Sequence, residues 1–281
     1  MATLLTLKRR IKTTKNVSKT TKAMQMIAAS KLKRAQDSAV QALPYTEKLT
    51  ELSKNISRIL EAGEISSYTL KPKANSKLVI VISPDKGLSG GLVTNLIKEV
   101  LNEDSKMKIY YIAVGKKAEN YLTSLGKDVI ATFPFGTAIP AFDLVFPILK
   151  MVDDYFLFGK VSVVEIITTK FLNVFTQIPQ RQILLPVRLA EEKSSSSDIL
   201  FEPSADELLP DLLRHYLEVS MYQGLLESYA SEQAARMIAM KNATDNANEI
   251  IDVLTLSYNK SRQEKITNEL LDIGGGIFYE Q

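Results

Sequence analysis

Apolar residues recur with a helical period at both ends of this chain and with a strand period in its middle. Stepping by three and four from Leu4 gives Leu7, Ile11, Thr14, Ser18, Thr21, Gln25, Ala28, Leu32, Ala35, Ala39 and Ala42. That seam is apolar at its ends and small or polar between them. No Pro or Gly interrupts it before Pro44, and the next breaker is Gly63. From Ala205 to Ile273 the same spacing picks out Leu212, Tyr216, Val219, Gln223, Leu226, Ala230, Gln233, Met237, Met240, Thr244, Ala247, Ile251, Leu254, Tyr258 and Ser261. A heptad seam over so many turns predicts a coiled coil. A helix of roughly 60 residues is about 90 Å long, more than a compact domain needs. The only interruptions are Pro210, expected in the first turn, and Gly224, and the run of glycines from Gly274 to Gly276 is expected to end the helix.

Between these ends the texture changes. "KLVIVI" from Lys77 reads as a buried strand, followed by the turn-rich "SPDKGLSGG" and the helical "LVTNLIKEVLN". "KIYYIAVG", "DVIATFP", "VSVVEIITTKF" and "QIPQRQILLPV" are further strands. "KKAENYLTSLG" and "AFDLVFPILKMVDDYFLF" are helical, the second expected to be kinked or interrupted at Pro147. Alternating strands and helices predict an α/β sheet with covered faces. "EEKSSSSDILFEPS" reads as a polar linker. The predicted organisation is α/β. A long antiparallel coiled coil is formed by an N-terminal helix in residues 1–60 and a C-terminal helix in residues 205–276. A central Rossmann-like α/β domain spans residues 75–190 and is expected at one end of the resulting rod.

Charge sharpens this picture. The net charge is only +3, but residues 1–36 hold ten Lys or Arg and no acid. Residues 1–60 carry 13 basic against 3 acidic side chains, and residues 206–281 carry 6 against 13. Opposite charge on the two ends predicts mutual attraction. Lys8, Lys12, Lys15, Lys19, Lys22 and Lys33 fall on one helical face at about 100° per residue. Such a stripe is either a solvated face or a partner surface. The basic start lacks the apolar core of a secretory signal, and it is Lys-rich where a mitochondrial transit peptide is Arg-rich.

Candidate chemistry is sparse. There is no cysteine, which removes disulfides, thiol chemistry and thiolate metal sites. The single histidine, His215, lies in a helical stretch and reads as a surface or packing residue. No apolar run reaches the roughly 18 residues of a membrane span. "PDKGLSGG" sits between strand and helix, where nucleotide-binding folds cradle phosphate. It lacks the Lys-Ser/Thr of a P-loop and is not G-x-G-x-x-G, so it reads as a structural turn. No catalytic, cofactor-binding or metal-ligating residue is nominated, and no cofactor is expected. A coiled-coil arm binding nucleic acid or a protein partner remains an alternative. It lacks the aromatic interleaving of a single-strand binder, the first aromatic being Tyr45. A nucleotide-binding enzyme is a second alternative.

Three segments carry a resemblance: "RRIKTTKNVSKTTKAMQMIAASKLKRAQ" at 9–36, "PDKGLSGGLVTNL" at 84–96, and "SEQAARMIAMKNATDNANEIIDVLTLSYNKSRQEKITNELLDIGGG" at 231–276. Together they closely resemble the gamma subunit of F-type ATP synthases. The resemblance implies a non-catalytic central-stalk rotor. Its coiled coil would run inside a ring of three alpha and three beta subunits, and its α/β domain would contact the epsilon subunit and the c-subunit ring. Ion-driven rotation would carry the catalytic beta subunits through their conformations, with no nucleic acid involved. It also implies subunit-interface roles for the basic Lys8, Arg9, Arg10 and Lys12. Met24 would lie near an acidic loop of the beta subunits, and Arg236, Gln263, Thr267 and Glu269 would face the alpha-beta ring. Small residues such as Ala234 and Ala247 would let the helices approach, while Asn242, Asn246 and Asn248 would keep the outer surface wettable. Ser89 stands where many members have cysteine, and the cysteine-bearing insertion of chloroplast members is missing. The resemblance, with no transit peptide, implies a bacterial protein held peripherally on the cytoplasmic side of the plasma membrane.

Overall fold

A computed structural model of the chain describes residues 3–59, 67–102, 107–187 and 205–277. The polar linker expected at 191–204 lies outside the described residues. The elements are α1 (Leu4–Ile59), β1 (Ser76–Ile82), α2 (Leu92–Leu101), β2 (Lys108–Val114), α3 (Lys116–Ser124), β3 (Asp128–Phe133), a 3-10 turn (Phe142–Leu144), α4 (Val145–Phe156), β4 (Val163–Phe171), β5 (Gln177–Leu185) and α5 (Ala205–Ile277). They form two compact units, Met1–Ala28 with Met237–Gln281, and Ala29–Arg236. Both long helices contribute to both units.

In the first unit α1 and α5 pack together along the predicted seam. Leu7, Ala28, Met240, Thr244 and Ala247 are buried, and Ile11, Thr14, Ser18, Thr21, Ile251, Leu254 and Tyr258 are half-buried. Two hydrogen bonds fix the register. Ser18 Oγ donates to Asn248 Oδ1 at 2.8 Å, and the hydroxyls of Thr21 and Thr244 bond at 2.7 Å. One residue number rises as the other falls, so the helices are antiparallel. Carried outward, the register sets Thr14 opposite Ile251, Ile11 opposite Leu254 and Leu7 opposite Tyr258. The close contacts between the two helices are neutral. Among the described residues of this unit no ion pair joins the two helices, and Lys8, Lys12, Lys15 and Lys19 are exposed. The cross-links are neutral hydroxyl and amide bonds, the Thr21–Thr244 bond part-buried in the seam and the Ser18–Asn248 bond at its exposed margin. Asn242, Asn246 and Asn248 are all exposed, and Asn248 in addition accepts the Ser18 cross-link.

The second unit is built on a five-stranded sheet of order β3-β2-β1-β4-β5. β1 to β4 are parallel and β5 returns antiparallel to β4. All seven residues of β1 are buried, which explains its unbroken apolar run. Side chains alternate between faces. Val79, Val81, Tyr111, Ala113 and Ile167 pack with Leu96 and Val100 of α2 and Ala118 and Leu122 of α3. The opposite face meets α5, where a Cβ on Gly224 would lie 3.3 Å from Ile166 Cδ1. Beyond the end of β1, the Thr169 backbone has no strand neighbour on that side. Ser228 Oγ accepts its N–H at 3.3 Å, and Ser231 Oγ donates to its carbonyl at 2.9 Å. Those bonds turn Thr169 away from β5, so its partner Pro179 faces its missing donor outward on an edge strand. His215 is a packing residue, bonded to the Tyr45 hydroxyl at 2.5 Å and Glu218 at 3.2 Å.

Three expected breaks behave differently. Pro147 is the third residue of α4 and neither kinks nor interrupts it, because first-turn N–H groups have no intrahelical partner. Pro210 is the sixth residue of α5, not a first-turn residue. Its cost of about 3 kcal/mol is outweighed by the buried stripe Leu209, Leu213 and Leu217, at about 1.5–3 kcal/mol per side chain. Gly274 to Gly276 do not end α5, which continues to Ile277. Extending an existing helix forms one bond per residue fixed, and glycine reduces that gain by only about 1 kcal/mol.

Gly115 opens α3 with φ +98°, and a Cβ there would lie 2.0 Å from the Ser83 carbonyl oxygen. Gly115→Ala meets both backbone strain and a backbone clash. It is expected to lower unfolding free energy by at least about 2 kcal/mol in urea titration of the purified chain, whereas Gly126→Ala, equally left-handed but in open space, is expected to lose less.

Candidate functional site

In the first unit the basic segment predicted to meet partners is on the surface. Lys8, Arg9, Arg10 and Lys12 are all exposed on α1, and Met24 is 38% exposed. Towards the end of α5, Gln263, Thr267 and Glu269 are exposed as well. Thr267 Oγ1 donates to the Gln263 carbonyl at 3.0 Å, and Glu269 lies 3.5 Å from Lys265. An exposed pair of that kind contributes about 0–1 kcal/mol, so Glu269 is not tied to its own helix. The single-seam reading missed the apolar residues outside the seam. Leu256 is 71% and Leu271 67% exposed, and Val253, Ile266, Leu270, Met26 and Ile27 are exposed too. A second apolar register beside the first was the available signal. Apolar surface on this scale marks a protein-binding face.

Arg236 is placed elsewhere, in the second unit. Its guanidinium pairs with Glu232 Oε1 at 2.6 Å and donates to the carbonyls of Lys86 and Gly87 at 3.4 and 3.2 Å. It therefore clamps the turn after β1. The same turn is stapled by Asp85, whose carboxylate accepts the backbone N–H of Lys116 at 2.8 Å, Phe135 at 3.4 Å and Gly136 at 2.8 Å. Ser83 Oγ accepts the Ala118 N–H at 2.6 Å. These bonds tie the turn after β1 to the start of α3 and to the 135–136 segment, so the chain itself holds the turn in place. Among the described residues no group of His, Cys, Asp and Glu is placed to hold a metal, and no helix is long and apolar enough to cross a membrane.

A family model described as ATP synthase matches residues 3–278. The ATP synthase gamma chain of Dehalococcoides mccartyi strain CBDB1 is 40% identical over 280 residues, 98% of each chain. The chain belongs to the ATP synthase gamma family. The ATP synthase gamma chain of Flavobacterium psychrophilum is 39% identical over 283 residues, again covering 98% of each chain. The fold matches a chain in the Euglena gracilis mitochondrial ATP synthase OSCP/F1/c-ring structure with a TM-score of 0.70 at 18% identity, covering 98% of this chain and 93% of that one. It also matches a chain of the Tetrahymena thermophila central stalk/c-ring structure with a TM-score of 0.59 at 25% identity, covering 79% and 98%. As a gamma-family member this chain is a non-catalytic central-stalk subunit of an F-type ATP synthase, a membrane-associated complex. The comparisons do not support a nucleic-acid-binding arm.

Within this gamma-family fold, Glu232 is the least solvated carboxylate of the clamp. Its residue is 3% exposed, one oxygen pairs with Arg236, and Oε2 is buried without a hydrogen-bond partner. Burial holds its carboxyl above the ordinary glutamate range; Arg236 opposes that shift, Asp85 adds to it and Lys31 opposes it. Tyr229, on the preceding turn, is also raised by burial and donates to the Thr137 carbonyl at 3.3 Å. The sign follows from proton linkage. A carboxyl with a folded pKa above its unfolded value binds its proton more tightly in the folded state. Its contribution to stability is full below the unfolded value and is lost as pH rises through the folded value. Glu232→Gln keeps the shape and removes the titration. Urea-unfolding free energies measured across mildly acidic to neutral pH are therefore expected to fall less with rising pH in the variant than in the parent. A parallel pair of profiles would refute the assignment.

Proposed function

We propose that the helix pair of the first unit turns inside a ring of three alpha and three beta subunits. In this reading the rotation is driven by ion flow through a c-subunit ring and forces the catalytic beta subunits through their states. The observation that carries it is the outer surface of that pair, which presents basic and apolar side chains together. Lys8, Arg9, Arg10, Lys12, Met24, Gln263, Thr267 and Glu269 are the residues we assign to the ring interface. Arg236 is assigned to the same interface through its shaping of the 86–87 turn. The epsilon subunit and the c-ring are assigned to the α/β domain. The catalytic sites are assigned to the beta subunits, and the complex to the cytoplasmic side of a bacterial plasma membrane.

A shaft that meets three similar partners in succession works best when no single contact is strong. Exposed charge pairs of about 0–1 kcal/mol suit that requirement, and so do small contacts shared with apolar side chains. Changing Lys8, Arg9, Arg10 and Lys12 together to Gln is expected to lower ATP-driven proton pumping per ATP hydrolysed in membrane vesicles. Unchanged pumping by normally assembled complex would overturn the interface assignment.

Ala247 tests the shaft itself. It is buried in the helix seam, one residue from the Ser18–Asn248 bond. Ala247→Phe overpacks that seam, at a typical cost of about 1–3 kcal/mol, and also thickens the pair. Pumping per ATP, normalised to assembled complex, is expected to fall more than the amount of complex does. Asn246→Gln on the exposed side is the control, since Asn248 carries the cross-link to Ser18.

A further inference from the structure

One part of the second unit breaks the pattern followed by the rest. On the sheet face toward α5, β4 presents Ile166, Thr168 and Lys170, and β5 sets Gln182 opposite Ile166 and Gln180 opposite Thr168. The facing stripe of α5 carries Tyr216, Ser220, Gln223 and Glu227. Both walls are largely polar where a helix covering a sheet is normally apolar, and on the opposite face the polar groups at β4 and β5 are closed into ion pairs, Glu165 with Lys77 and Arg181. Gly224 sits between the walls, and its lack of a side chain brings helix and strand together beside a cavity of about 200 Å³. Among the described residues, the side chains of Lys170, Gln180, Gln182, Gln223 and Glu227 make no hydrogen bond to one another or to other residues.

The charges select the ligand. Lys170 is at the exposed rim and repels a lone cation, while Glu227 is half-buried and repels a lone anion. The two act on each other electrostatically, yet no ion pair closes between them, which leaves room for a bridging group. A net-neutral solute with both charges matches both walls. The three amides offer donors and acceptors for a further polar group. At about 200 Å³ the cavity has the room of several water molecules, each about 30 Å³ in the liquid, and is smaller than the 300–1,000 Å³ of drug-sized ligand pockets.

We propose that this cavity binds a small zwitterion of the α-amino acid class, with its ammonium at Glu227, its carboxylate at Lys170 and a short polar side chain against Gln180, Gln182 and Gln223. Burial raises the Glu227 carboxyl and Lys170 opposes the shift. An ammonium in the cavity would favour the charged form further.

Equilibrium dialysis of the purified full chain against radiolabelled L-glutamine and, separately, L-serine tests this. Saturable binding of one equivalent is expected for at least one of them, unaffected by excess glycerol or acetate. Glu227→Gln and Lys170→Ala each remove one charged hydrogen-bond partner. Each is expected to weaken binding about tenfold or more without lowering the circular-dichroism melting temperature. No saturable binding of either amino acid up to tens of millimolar overturns the proposal. Binding that survives both substitutions also overturns it, as does equal competition by glycerol, which would make the cavity a general hydration site.

Discussion

Two helices share one face. A pair can bury only one stripe on each partner, and everything outside it remains at the surface. In the first unit that stripe is narrow and largely small or hydroxylated, with Thr21 against Thr244 and Ser18 against Asn248 at its centre. The small side chains bring the backbones close enough for side-chain hydrogen bonds to set the register, a task that leucine packing alone performs less selectively. The same constraint explains the outward charges and the exposed Leu256 and Leu271. A face that a partner covers need not be polar, and a helix pair leaves such a face available along its length.

The second unit shows a strand-turn-helix of the kind nucleotide folds use, with the turn fastened by its own chain. Its parallel strands and the turn after β1 have the form of a phosphate cradle. The turn is instead held from both sides: Asp85 and Ser83 accept backbone N–H groups at the start of α3, and Arg236, paired with Glu232, donates to the carbonyls of Lys86 and Gly87. An internal carboxylate at a helix start gains from the same dipole and N–H groups that attract a phosphate. The loop is thus fixed by its own chain, and the turn can act as a rigid mount for Arg236.

Much of the fold was legible in the sequence because it rests on period. Every described seam position from Leu4 to Ala35 is less than fully exposed, and the strand runs of the centre became β1 to β5. Period could not tell which helix would tolerate a breaker. Pro210 and the three late glycines were expected to lie at helix ends, yet α5 runs through them, because burial and cooperative extension exceed their local cost. Of the residues assigned above to the ring interface, Lys8, Arg9, Arg10 and Lys12 were legible as an acid-free basic run. Leu256 is missed by a single seam, because it lies in the apolar register beside it.

The sequence by itself determined the two helical ends, the alternating centre, the absence of thiol chemistry and the family, since each rests on residue identity and spacing along one chain. The tertiary structure alone decided which polar groups meet. It joined Thr21 to Thr244, linked Asn248 at the surface to Ser18 and turned Arg236 onto the 86–87 turn. The physical reason is range. Hydrophobic period is a local property repeated many times, so it survives averaging along the sequence. A hydrogen bond requires two atoms within about 3 Å, and the residues that carry them here lie far apart in the chain.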